Sequence, residues 1–448
     1  MDPPSLVAAG YAARAMNARA DFPARRIFVI STMALFTAGL SFSLRAAIIG
    51  AIEAEILAKL DPLHSGELAG TLLGTAFLGF ALTLGLGSVV LDRFGMGRML
   101  ATSGLCFAGG TAIVVSASAL AEGAAVYAVL RAGFLLSGLG WGFMECSINP
   151  LTAALYPEDK TNRLNILHAW WPAGLIVGGL IGVSAPGLGL GWRGQFAFVV
   201  APALVAAALC AGTRFPRTER ATLGVPWREM FAEIPRRPMF LVWWACMFLT
   251  ASSELAPGQW IDLTLTRTVG MRGIWLLIYV SGMMFVLRHF AGPIAHRISN
   301  VGMLWGGSAL AALGLLALAA ANSPLTGLLA ATVWGLGVCF LWPTMLANVA
   351  ERYPRGGELF IGLMGVAGAL AIQFVLPELG AIFDHAKIAL AGGDAAFAAL
   401  SGAELDATLR QAASISFRSL ALLPALLIVV FGAIGLWERM HSRGVKVG

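Results

Sequence analysis

Charge is scarce in this chain. Only 12% of its 448 residues are Asp, Glu, Lys or Arg, 58% are hydrophobic, and mean hydropathy is +0.79. A soluble fold of this length needs a polar skin, so the soluble multidomain class is excluded. Cysteine is sparse too. Cys106, Cys146, Cys210, Cys246 and Cys339 all lie in apolar runs, and none has a CxxC partner, which argues against disulfides and against a cysteine metal site. No His/Cys/Asp cluster has zinc-ligand spacing, so no metal is expected. There is no P-loop, and the Gly-x-Gly strings at 138–142 and 187–191 sit in or beside apolar runs rather than after a strand, which argues against an ATP-driven pump and against nucleotide binding; no cofactor is expected. No nucleophile–base pair stands out, so the chain is not expected to be an enzyme. Residues 1–26 lack the apolar core of a signal peptide and read as a cytoplasmic tail.

What the chain does have is twelve apolar runs, most near the ~20 residues that a helix needs to cross a ~30 Å hydrocarbon core. Six run from Ile27–Ile49 to Phe196–Ala211 and six from Met239–Leu263 to Leu420–Leu436. Barrel strands would alternate polar and apolar residues, and these runs do not. The expected organisation is a tail at 1–26, a six-helix bundle at 27–213, a basic, Pro-containing cytoplasmic linker at 214–238, a second six-helix bundle at 239–437 and a cytoplasmic tail at 438–448. Twenty of the 30 Lys and Arg fall in loops on the side of the amino terminus, seven fall on the other side, and three (Arg45, Arg131 and Arg288) lie within spans. The bias places both termini in the cytoplasm and the protein in the inner membrane. The pI near 9.3 therefore reports topology, and no nucleic-acid partner is expected beside the lipid bilayer. The segment Asp384–Ser416 reads as a long outer loop, helix-like at Ala403–Ala413, more an idle excursion than a cap on the outer mouth.

The two halves echo each other. Gly138-Leu-Gly140 precedes Tyr156-Pro157, and Gly335-Leu-Gly337 precedes Tyr353-Pro354, both at an offset of 197 (335 − 138 and 353 − 156). Ser88-Val-Val-Leu-Asp92-Arg93 is echoed by Gly292-Pro-Ile-Ala-His296-Arg297 at nearly the same offset. That is the pattern of parallel repeats related by an axis along the membrane normal.

Chemistry is confined to the few polar residues inside the spans. Glu145 and Asn149 stand four apart in span four and share one helix face; an ionisable residue this deep marks a pathway. Span five brings Asn165, His168 and Trp171. Because span four descends as span five climbs, at ~1.5 Å per residue, Glu145 and Trp171 reach a similar depth. Carboxylate, amide, imidazole and indole can then line one cavity. In span seven Glu254 precedes Pro257-Gly258, where the helix is expected to bend, and is followed by Gln259 and Trp260. Trp342 and Gln373 add an indole and an amide within apolar spans. Arg45 is expected to pair with Glu145 or Glu254, or to grip a substrate carboxylate, since a guanidinium cannot release its proton near neutral pH.

The segment Ser88-x-x-x-Asp92-Arg93-x-Gly95-x-Gly97-Arg98 resembles the cytoplasmic signature of the major facilitator superfamily, with Ser88 and Gly97 as departures. The second copy keeps Arg297 but has His296 for the acid. The resemblance implies an all-α membrane protein of twelve transmembrane helices in two pseudo-symmetric six-helix bundles, with Asp92, Arg93, Arg98, His296 and Arg297 as a cytoplasmic gate. Gly138/Gly140, Glu145/Asn149/Pro150 and Arg163/Leu164/Asn165, with Glu254 to Trp260 and Pro377/Gly380/Asp384, resemble the fucose:proton symporter family. That implies a monomeric secondary active transporter taking up a sugar with H+ by alternating access. Arg45 stands where that family has a span-one acid, which points to an acidic sugar as an alternative substrate and either moves proton coupling to Glu145 or Glu254 or removes it. An exporter of amphipathic compounds and a non-transporting sensor on the same fold are the other readings. Pro172-Ala-Gly174 departs from the span-five motif of drug exporters and favours uptake.

Overall fold

A computed structural model describes residues 22–156, 160–217, 227–288, 298–353 and 357–444. Twelve apolar helical spans account for most of it. The first half holds α1 (Ala24–Ile52), α2 (Ser65–Phe94), α3 (Met96–Val115), α4 (Ala125–Leu155), α5 in two pieces (Lys160–His168 and Trp170–Ser184) and α6 in two pieces (Trp192–Ala197 and Val200–Cys210). The second holds α7 (Met239–Val269), α8 (Ile274–Arg288), α9 (Asn300–Ala320), α10 in two pieces (Pro324–Val338 and Leu341–Arg352), α11 (Gly357–Ala391) and α12 (Gly402–Gly444). A short helix, Trp227–Arg236, lies in the linker. Eleven spans are long and apolar enough to cross a bilayer, and Ile274–Arg288 is a shorter apolar helix.

Water cannot drive apolar helices together inside lipid, so close backbone packing has to do so, and it needs small residues. Gly138 of α4 lies so close to α2 that a Cβ there would meet the Ala76 carbonyl oxygen at 1.9 Å. Gly39 and Gly174 let α1 and α5 touch in the same way, and Gly314 and Gly337 join α9 to α10. The repeat foreseen from the Tyr-Pro echo is visible in the backbone. Tyr156 and Tyr353 end α4 and α10 with the same φ of −129° and ψ of 59°. Each ring meets a phenylalanine edge-on at the start of the first helix of its half, Phe28 at 5.6 Å and Phe240 at 6.0 Å.

Span seven is not interrupted at Pro257: α7 is continuous from Met239 to Val269. Proline removes the donor that would bond the carbonyl four residues earlier, and here that carbonyl, Ser253 O, accepts from Trp334 Nε1 at 3.0 Å. Replacing Trp334 by Phe should leave it unpaired and destabilise the protein by about 1–2 kcal/mol, read as a lowered midpoint of thermal unfolding in detergent. The segment 384–416 is also not a long loop. α11 continues to Ala391 and α12 begins at Gly402, with only the short helix Asp394–Ala399 between them. Asp384 and Lys387, in the continuation of α11, find partners in the other half, as described below.

Candidate functional site

Where the two bundles meet, a cavity of about 70 Å³ is lined by Glu145, His168, Trp141 and Trp171 from the first half and by Glu254, Arg288 and Trp342 from the second. Small-molecule sites usually hold ~300 Å³ or more, so the walls are drawn together here.

On one wall α4 and the break in α5 build a polar chain. Asn149 Nδ2 donates to Glu145 Oε1 at 3.3 Å, and His168 Nε2 donates to Asn149 Oδ1 at 2.9 Å. Among the described residues no cation pairs with Glu145. Beside it the rings of Phe80, Trp141 and Trp171 stack, with centroids 4.6 and 5.1 Å apart and planes within 9° and 23°. Flat, rigid and partly polar, this stack gives the cavity an apolar face.

The opposite wall carries an ion pair. Arg288 Nη2 donates to Glu254 Oε1 at 3.3 Å, and Glu254 Oε2 is buried without a hydrogen-bond partner among the described residues. Arg288 is held from behind as well, Nε donating to Cys339 O at 3.2 Å. That carbonyl is free because Pro343, four residues on, has no N–H to give it, and α10 is interrupted there, between Val338 and Leu341. Span ten is thus a discontinuous helix whose interruption seats a cation. Arg288 was recognisable as a basic residue within an apolar span; its role needed the fold.

Arg45 is not where the sequence suggested. It is 1% exposed, so it does not reach the lipid headgroups, and it pairs with neither Glu145 nor Glu254. It points into the first bundle, where Phe77, Phe134 and Trp141 surround the guanidinium at 5.8–6.0 Å, an arrangement of cation–π contacts. Arg45 does not line the cavity. Nor do Gln259, Trp260 and Gln373. Gln259 is fully buried and donates through Nε2 to Phe42 O at 2.9 Å, tying α7 to α1. Trp260 is buried against Phe383. Gln373 packs its backbone near Gly74 of α2. Arg93 and Arg98 are exposed and form no ion pair among the described residues. His296 and Arg297 lie outside the described residues, as do the side chains of Asp92 and Asn165.

A family model described as Major Facilitator Superfamily matches residues 27–376. The chain belongs to the Major Facilitator Superfamily. Its members cross the membrane many times and move solutes, and the twelve helices fit that architecture. A comparison with curated proteins found no match. Among solved structures, a D-xylose–proton symporter superposes with a TM-score of 0.69 at 16% identity, over 89% of this chain and 96% of the other. The partially occluded inward-open form of the xylose transporter XylE from E. coli gives 0.70 at 14%, over 91% and 96%. The E. coli fucose:proton symporter FucP (N162A) gives 0.56 at 15%, over 89% and 98%. At these identities the likeness is one of fold.

Proposed function

We infer that this superfamily member takes up a small neutral sugar together with a proton, by alternating access at the seam between its halves. The observation that carries the reading is the pairing of two walls: Glu145, Asn149 and His168 beside a stack of aromatic rings, facing the Glu254–Arg288 pair. Stacked rings and amides recognise a polyol. A carboxyl facing the cavity without a counter-ion can take up and release a proton with no ion pair to break. Two of the similar folds named above are sugar–proton symporters by title, which supports the substrate class. The charge balance supports a neutral solute over a sugar acid. The cavity holds two carboxylates and one guanidinium already engaged by one of them, and Arg45, the cation expected to grip a carboxylate, lies elsewhere.

Alternating access needs the cavity to widen toward one side at a time, and differential binding of solute and proton shifts the populations. Asp92, Arg93, Arg98, His296 and Arg297, at the cytoplasmic ends of their spans, are the groups that would latch the inner gate. The reading is tested in right-side-out vesicles carrying the protein as a monomer in the inner membrane, both termini cytoplasmic. Labelled pentoses and hexoses should accumulate under an inward proton gradient, and a protonophore should collapse the accumulation. Binding without flux would make the chain a sensor, and extrusion of amphipathic dyes with no sugar uptake would make it an exporter; either overturns the proposal.

A further inference from the structure

α2 and α11 pack antiparallel, one from each half. Their outer ends are in backbone contact: a Cβ on Gly70 would lie 2.1 Å from Leu376 O, and one on Gly380 would lie 2.2 Å from Gly66 O. The first turn of any helix leaves N–H groups without intrahelical partners and carries a partial positive charge. In α2 the residue at the cap position, His64, supplies no side-chain bond. The acceptor comes from the other half of the protein. Asp384 Oδ1 accepts from Gly66 N at 3.2 Å and Oδ2 from Glu67 N at 2.7 Å. Lys387, one turn further along α11, sits 2.5 Å from Asp384 Oδ1 and reaches Pro62 O at 3.3 Å and Ser65 Oγ at 3.5 Å. Asp384 is 0% exposed and Lys387 2%. The ring of Phe397, from the short helix after α11, lies 5.2 Å from the ammonium.

We propose that Asp384 is the latch of the outer gate, closing it by capping α2 in trans, and that Lys387 is the positioning residue that keeps the carboxylate aimed. Other bonds cross at the same end: Arg272 Nη2 donates to Ala47 O at 3.0 Å, and Nη1 to Gly182 O. Asp384 differs from these because it satisfies a helix terminus that nothing in its own half satisfies. The arrangement also suits a gate that reopens. Asp384 and Lys387 lie on one helix and stay paired when the halves separate, so opening exchanges four charge-assisted hydrogen bonds for water and strands no lone ion.

The test reports on the gate without substrate. Thr264, 4% exposed and lining the outer cavity between the halves, is replaced by cysteine in the full chain. Labelling by a membrane-impermeant maleimide is then timed in right-side-out vesicles, with the same variants lacking Thr264→Cys as blanks for the five native cysteines. Asp384→Asn should raise the labelling rate about tenfold, the effect of losing roughly one charge-assisted hydrogen bond. Gly66→Ala should do the same without touching charge: its Cβ would sit 2.8 Å from Asp384 Oδ1, while alanine favours the helix. Should Asp384→Asn fail to fold, Gly66→Ala decides alone. Unchanged labelling in the variants that fold overturns the latch. The inference rests on the transport reading only in needing a second, outward-open state. Faster labelling in a chain that moves no sugar would keep the latch and discard the sugar, and sugar uptake with unchanged labelling would do the reverse.

Discussion

Replacing Glu145 by glutamine is expected to abolish concentrative uptake, by ~100-fold, while leaving exchange of labelled for unlabelled sugar across the membrane within a few-fold of the parent. The substitution keeps shape and keeps an oxygen for Asn149 Nδ2, which donates to Glu145 Oε1 at 3.3 Å. Only the ability to gain and lose a proton is removed. Exchange needs the loaded carrier to swing in both directions, whereas accumulation needs the proton to be picked up outside and released inside. The split between the two assays is therefore the informative result. Glu145 is singled out over Glu254 because Glu254 already has Arg288 at 3.3 Å. A Glu145→Gln protein that still concentrates sugar like the parent would move the proton to another group and remove the central element of the proposed coupling.

Arg288→Ala should be the most damaging single change to stability at the cavity. It strands the Glu254 carboxylate, which is 8% exposed, and frees Cys339 O at the interruption of α10. Removing one partner of a buried pair costs about 3–5 kcal/mol, enough to lower the unfolding midpoint in detergent by several degrees and to cut the yield of folded protein. Replacing both partners, Glu254→Leu with Arg288→Met, should recover most of that loss, because apolar side chains of similar volume remove the two desolvation penalties together. The doubly replaced protein should fold and remain unable to transport, since it lacks the polar wall facing Glu145. If it transports sugar normally, the pair is scaffolding and the functional wall lies on the other side of the cavity.

How much of this was legible depended on whether a feature is local in the chain. The membrane class followed from composition, and the twofold plan from two echoes of near-equal offset. Glu145 and Asn149 could be joined because four residues is one helical turn, and His168 could be added because the depth of span five follows from its rise. Rotation of a helix about its own axis is another matter. Each residue turns the chain by roughly 100°, so no spacing argument could say whether Arg45 faces the cavity or the interior of its own bundle; it faces the interior, among Phe77, Phe134 and Trp141. Pro257 and Pro343 show the same limit. Each frees one carbonyl by rule, but whether a break follows depends on what arrives. At Ser253 it is the Trp334 indole, and α7 runs on through Pro257. At Cys339 it is Arg288, in a helix already interrupted. At Asp384 and Lys387 only the neighbouring half reveals how α11 can bury two charges.

The aromatic enclosure of Arg45 bears on how the protein is made. α1 is synthesised before α2 and α4, and it carries a guanidinium that is costly to leave in lipid without partners. The rings that shelter it belong to α2 and α4, which do not yet exist at that moment. The final seat of Arg45 is therefore complete only when both α2 and α4 are in place, so one side chain ties the seating of α1 to that of two later helices.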